Sequence, residues 1–276
     1  MHSLVAKEPI YSSQPLPHAT KFRFDWQSFI LSPLWICLLV DVLVRMFLII
    51  HTHGVIAGDE AVTGIQAEYI LRGAHPVYYY GQSYMGSLEA YIIAFIFVLA
   101  GPSVLTLRIA MILISLLLVI LTWMFAAALA DEAGVPLQGK KRFMFIAALP
   151  PLYDAVLELR SLGGYIEAMI IMLWLLLCAL RLTQRWRADA SNRELILRWL
   201  GIGFLLGLGF WIDPLVVYAV VAVVLWIGWF FLSGLIKPHC ASNTKTTHPR
   251  LTLLKKAFFA FVAIPGAILG AVPALY

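Results

Sequence analysis

The chain has 276 residues, 62% hydrophobic and 13% charged, with a net charge of +5 and a mean hydropathy of +0.87. Soluble domains run at roughly 45–50% apolar and about 25% charged, so this composition excludes a soluble globular protein and indicates an integral, multi-pass membrane protein. The cysteines, Cys37, Cys178 and Cys240, are scattered and form neither a CxxC pair nor a disulfide framework.

In chain order, residues 1–29 are polar and carry Pro9, Pro15 and Pro17. The apolar run that follows is too long for a signal-peptide core and lacks a small-residue cleavage site. A cytoplasmic tail followed by a transmembrane region over 30–276 is expected. A membrane core of about 30 Å needs roughly 20 helical residues. The candidate spans are Ile30–Ile50, Val104–Ala130, Phe143–Leu157, Ile166–Leu182, Leu195–Ile212, Leu215–Ile236 and Ala257–Tyr276. The third is short and contains Pro150-Pro151; it extends a turn past them or ends in a cavity. The last runs apolar to the final residue, so the chain is expected to be C-terminally incomplete. The fold class is all-α: a polytopic transmembrane helix bundle with a large outer loop carrying juxtamembrane or interfacial helices.

Ser87–Ala100 is apolar but too short for a typical crossing. If it does not cross, one side of the membrane collects Lys7, Lys21 and Arg23, then Lys140, Lys141 and Arg142. The same side takes Arg185, Arg187, Arg193 and Arg198, then Lys237, Lys245, Arg250, Lys255 and Lys256. The other side keeps Arg72 and Arg160. If it does cross, every later basic cluster moves outside, against the positive-inside rule. Residues 51–103 therefore form one outer loop. The basic loops are accounted for by this topology and by anionic lipid, and nothing indicates nucleic acid.

That loop carries the chemistry. Asp59 and Glu60 open a short helix with Val62, Ile65 and Tyr69 on one stripe, and Gly73 with Pro76 marks its stop. A glycine-spaced aromatic segment follows, with Tyr80, Gln82 and Tyr84. The acid pair has two compatible readings: a helix cap with a dipole partner, or a base that takes a proton from an attacking hydroxyl. Arg108, one turn into its span, is either a phosphate-binding guanidinium or a snorkelling anchor. Arg160 in the next outer loop is a second phosphate candidate. Glu167 opens a span beside Tyr165 and the Gly163-Gly164 hinge, and Glu89 opens the interfacial run; both are candidate site acids or simple helix-start carboxylates. Asp41 and Arg45 are spaced for an internal ion pair. Asp213-Pro214 reads as a turn. His51-x-His53 is too little for a metal site.

The run GDEAVTGIQAEYILRGAHPVYYYGQSYMGSLEAY, followed by GPSVLTLRIAM and LRSLGGYIEAM, resembles the N-terminal half of GT-C membrane glycosyltransferases. It looks similar to bacterial relatives of protein O-mannosyltransferases and lipid A aminoarabinose transferases. The resemblance covers roughly residues 30–182. It implies a bacterial inner-membrane, cell-envelope enzyme, with a polyprenyl-phosphate-sugar donor and a lipid, glycan or protein hydroxyl acceptor. Asp59 would be the base, Glu60 its neighbour and Glu167 the second-loop acid, with Arg108 at the family's arginine position and no metal or cofactor required. Where the aminoarabinose transferases carry Lys-Pro near the loop's end, this chain has Gln82-Ser83-Tyr84. The rival class is a non-enzymatic transporter or scaffold.

The charge argument has a direct test. Single cysteines introduced at Ser83 and Ser103 should both react with an impermeant thiol reagent from the outer side. Labelling at only one of the two would mean that Ser87–Ala100 crosses.

Overall fold

Inside a bilayer the backbone must satisfy its own hydrogen bonds, and a helix does so within one segment. The computed structural model describes residues 32–53, 55–149, 151–236 and 258–275, and within them helices dominate. The expected tail 1–29 and the basic loop 237–256 lie outside the described residues. The elements are α1 (Leu34–His51), α2 (Gly58–Leu71), a hairpin of β1 (Tyr78–Tyr79) and β2 (Gln82–Gly86), α3 (Leu88–Ala100), α4 (Val104–Glu132), α5 (Leu137–Ala148), α6 (Leu152–Glu158), α7 (Tyr165–Arg187), α8 (Asn192–Ile212), a 3-10 turn (Pro214–Val216), α9 (Val217–Ile236) and α10 (Ala263–Gly270). Short 3-10 turns, Phe258–Val262 and Val272–Leu275, flank α10.

Five of these are long and apolar enough to cross a membrane: α1, α4, α7, α8 and the segment Pro214–Ser233. Two expected spans are corrected. Phe143–Leu157 is not one helix: α5 ends at Ala148, Leu149 turns extended, as a residue before proline tends to, and α6 starts at Leu152 with Pro151 as its N-cap. Ala257–Tyr276 is not a continuous helix either, but a short α-helix between two 3-10 turns.

One end of the bundle is marked by Glu60, Arg108 and Leu159, which meet there. The other end carries Arg185, whose guanidinium grips Glu194 through hydrogen bonds of 2.7 and 2.9 Å, and Arg187 paired with Glu132. Successive long helices alternate between these ends, with α5 and α6 together making one broken traverse. The first end is called the acidic end below. Both flanks of α3 lie there: Glu89 at its start holds Gly164, and Arg108, one turn into the next helix, holds Glu60.

Helix α7 is the common wall of two apolar clusters. One combines Leu175, Leu182, Leu195, Ile202 and Val216 from α7, α8 and the 3-10 turn before α9. The other combines Ala67, Ile93, Phe97, Met111 and Ile170 from α2, α3, α4 and α7. The long helices turn apolar residues outward as well: on α1, Ile36, Leu39, Leu43 and Phe47 are all exposed while Asp41 and Arg45 are fully buried. Lipid offers no penalty to apolar surface, so the polar groups take the inside.

The α8–α10 contact is set by glycine. Gly203 and Gly207 on α8 face Gly266 and Gly270 on α10. A Cβ at Gly207 would lie 2.0 Å from the Ala267 carbonyl oxygen, and one at Gly270 would lie 2.1 Å from that of Phe204. Small residues four apart on both helices let the backbones touch. Gly207→Ala should therefore lower stability by at least about 1–3 kcal/mol. Gly228→Ala on α9, where nothing lies within 4 Å of the added Cβ, should be neutral or mildly stabilising. Thermal unfolding in detergent compares them; equal stability of the two variants would refute the packing argument.

Candidate functional site

Helix α2 begins with Glu60, not Asp59, in the capping role. The backbone N–H of Ala57 donates to Glu60 Oε2 at 2.6 Å. The helix ends where Gly73 takes a φ of +94° and the N–H of Ala74 reaches back to the Tyr69 carbonyl at 3.0 Å. The inward face of α2 is Glu60, Thr63, Gln66 and Ala67. The Val62, Ile65 and Tyr69 stripe does not pack inward: Ile65 and Tyr69 are exposed. The polar face packs because the bundle offers it polar partners.

Those partners fix the site. Arg108, 5% exposed, donates to both carboxylate oxygens of Glu60, to the Leu159 carbonyl at 2.7 Å and to the Val55 carbonyl at 2.9 Å. The Gln66 side-chain amide donates to the Tyr78 carbonyl at 2.9 Å and accepts from the Tyr80 N–H at 3.2 Å, so α2 holds the hairpin by its backbone. The Trp211 indole donates to the Val77 carbonyl at 3.1 Å from the end of α8. Asp213 makes the turn expected of it, accepting from the Leu215 N–H at 2.7 Å.

A chain of polar side chains runs across the acidic end. The Tyr79 hydroxyl donates to the Asp59 carbonyl at 2.7 Å and lies 3.3 Å from the Thr63 hydroxyl. Thr63 reaches the Ser161 carbonyl at 3.5 Å. The Ser161 hydroxyl donates to Glu89, which also accepts from the Gly164 N–H at 2.8 Å. Gly163, at φ +80°, sits under the Tyr79 ring, where a Cβ would come within 3.0 Å. Burial pushes the Tyr79 phenol up from its ordinary value, with the charges of Glu89 and Asp59 adding to it. Burial also pushes the Glu89 carboxyl up, against the Ser161 and glycine N–H bonds that favour its charged form. Glu167 is 3% exposed, close enough to Glu89 for their charges to interact, and neither of its oxygens has a hydrogen-bond partner among the described residues. Two carboxyls in one buried site disfavour double ionisation.

The expected site residues thus divide in two. Glu60, Arg108, Glu89 and Glu167 are buried. Asp59 is exposed, and no described residue donates to its carboxylate. Tyr80, Tyr84 and Tyr165 are exposed aromatics on the same end, with Tyr69 packed edge-on to Tyr80 at 6.1 Å. Gln82 and Arg160 are half-buried, and among the described residues no carboxylate pairs with Arg160. Arg108, a phosphate candidate from sequence, has its terminal nitrogens committed to protein groups. Sequence reasoning missed Tyr79, Thr63 and Ser161; nothing but proximity in the fold marks them.

A second buried ionic set lies deeper. Arg45 pairs with Asp41 at 3.1 Å, as the i, i+4 spacing predicts, and also with Glu158. The Ser115 hydroxyl, 2.9 Å from Arg45 Nε, donates to Asp41 at 2.9 Å. Glu158 ends α6 and is buried. Among the described residues no group of three or more His, Cys, Asp or Glu is placed to hold a metal. No protein-family model, curated protein or solved structure matches the chain.

Breaking a buried ion pair leaves one charge uncompensated, which costs about 3–5 kcal/mol, whereas replacing both partners by apolar groups is often close to neutral. Glu60→Leu and Arg108→Leu should each destabilise the protein by that order, and the double variant should recover most of the loss. Additive losses in a chemical-denaturation cycle would show that the pair is not the tie described.

Proposed function

We propose that this is a GT-C-type glycosyltransferase segment. It moves a sugar from a polyprenyl-phosphate donor to a hydroxyl acceptor (on lipid, glycan or protein) at the outer face of a bacterial inner membrane. The observation that carries the reading is the division between adjacent carboxylates. Glu60 is 2% exposed and ion-paired, while Asp59 next to it is exposed to an incoming acceptor.

In this reading the acceptor hydroxyl gives its proton to Asp59 as its oxygen attacks the anomeric carbon, and the bond from that carbon to the phosphate oxygen breaks with inversion. The phosphate leaves with its charge beside a guanidinium. Arg160 is the better placed of the two arginines, since Arg108 is held by Glu60. The exposed Tyr80, Tyr84 and Tyr165 offer faces on which a sugar stacks. The Tyr79–Thr63–Ser161–Glu89 chain ties Ser161, the residue after Arg160, to Thr63 on α2, one turn beyond Asp59.

A transporter is the second reading. The broken traverse α5–α6 and the buried Arg45 set favour it, since transport sites form at broken helices. The two readings separate on one substitution. Asp59→Asn keeps the shape of the side chain and removes its basicity. It should fold with unchanged thermal stability, still bind the lipid donor, and lose sugar transfer by a factor on the order of 10²–10⁴. The measurement is transfer from a purified polyprenyl-phosphate-sugar donor by the full-length protein. Near-normal transfer by a stable Asp59→Asn variant would remove the base assignment.

A further inference from the structure

At the acidic end two buried acids meet with no basic group to balance them. Glu89 opens α3 and Glu167 lies in the first turn of α7. Glu89 is 1% exposed and Glu167 3%. Their side chains are close enough to hydrogen-bond. Neither enters a salt bridge among the described residues. The charged and titratable groups on the neighbouring elements are engaged elsewhere. Arg108 of α4 holds Glu60 of α2, Asp213 after α8 accepts from the Leu215 N–H, and Tyr79 of β1 donates to the Asp59 carbonyl.

The two carboxyls are not equivalent. Glu89 accepts from the Ser161 hydroxyl and from the Gly164 N–H at 2.8 Å, and donors of this kind favour its charged form. Glu167 accepts from nothing: both of its oxygens are buried and lack a partner among the described residues. A bare carboxylate there would bear the cost of a desolvated charge, beside a second charge of the same sign. A neutral carboxyl removes both costs. Its O–H becomes a donor, and the Glu89 carboxylate, with about four acceptor sites, has room for one more bond.

We propose that Glu89 and Glu167 bind one proton between them, as a Glu167 carboxyl donating to the Glu89 carboxylate, and that this proton latches residues 159–164 to the start of α3. That segment carries Arg160 and lends the Leu159 carbonyl to Arg108. When the proton leaves to solvent, two like charges share one buried site. Glu89 then releases Ser161 and Gly164 and turns to water. Burial pushes the Glu89 carboxyl up, so the pair keeps its proton where a solvated glutamate, at about 4.3, has lost it. The latch is therefore closed at low pH, and its hold weakens by up to about tenfold per pH unit as the pH rises. Neither acid takes part in the proposed transfer step, so the two readings fail separately.

Two measurements on the purified full chain in detergent test the latch between about pH 5 and 10, a range that begins above a solvated glutamate. Infrared spectroscopy reads the carbonyl stretch of a protonated carboxyl, identified by its shift in heavy water. Hydrogen exchange read by mass spectrometry, corrected for the base-catalysed chemical rate, reports the protection of residues 159–165. The wild type should show the band at neutral pH and lose it in alkali, and protection should fall with it by up to about tenfold per pH unit. Glu167→Gln supplies an amide donor that does not titrate; it should remove the band and keep the segment protected throughout. Glu89→Gln gives up an acceptor oxygen and should lower protection about tenfold at every pH. The wild-type measurements decide the matter even if a variant does not fold. Absence of the band from the folded wild type, its survival in Glu167→Gln, or protection that ignores pH overturns the proposal. So does a sodium-dependent gain in protection without the band, which would make the pair a cation site.

Discussion

The guanidinium of Arg108 sets the arrangement of the acidic end. A buried arginine cannot shed its charge, so its N–H groups must find acceptors or the fold bears the full desolvation cost. Here they find Glu60, the Leu159 carbonyl and the Val55 carbonyl. Those acceptors come from the start of α2, the loop after α6 and the loop after α1, while the arginine itself belongs to α4. One side chain therefore ties four segments that are far apart in sequence. Because Glu60 also takes the Ala57 N–H, the same tie fixes the rotation of α2. Adjacent residues on a helix point about 100° apart, and so Asp59 is carried to the open surface.

The same rule recurs through the bundle. Arg45 collects Asp41, Glu158 and Ser115 from three elements. Glu89 collects Ser161 and Gly164 and so pins the loop before α7 to the start of α3. In each case the polar groups face in, to partners. A soluble helix does the reverse because water penalises its apolar side. With apolar surroundings that penalty vanishes, and what remains is the demand of polar groups for partners. On α2 the partners decide the face: Thr63 and Gln66 turn inside to the Ser161 and Tyr78 carbonyls, while Ile65 and Tyr69 stay outside.

Helix α7 shows the other requirement, continuity. It runs unbroken between the two ends and serves both apolar clusters. The α5–α6 traverse beside it is broken between Ala148 and Leu152, with Pro151 capping the second helix, and α4 and α7 do not collapse into the gap. Across the bundle, the glycines of α8 and α10 have the opposite effect, removing side-chain volume so that two backbones meet. Proline opens space in this protein and glycine closes it.

Sequence alone determined that the chain is a multi-pass helical membrane protein. Long apolar runs have no other stable form in lipid, and α4, α7 and α8 fall where those runs lie. It also determined the helix after Gly58, its stop at Gly73, the Asp41–Arg45 pair and the Asp213 turn, because each depends on residues within a turn or two of one another. The tertiary structure decided which carboxylate is buried and which is open. Asp59 and Glu60 are nearly equivalent as letters, and their difference comes from Arg108, 48 positions away. It decided too that Arg108 is a tie and that Tyr79, Thr63 and Ser161 form one chain. It showed that Phe143–Leu157 and Ala257–Tyr276 are not single helices, although hydropathy scores them as apolar. Hydropathy measures transfer to lipid residue by residue, and it carries no information about which polar groups find one another once the helices pack.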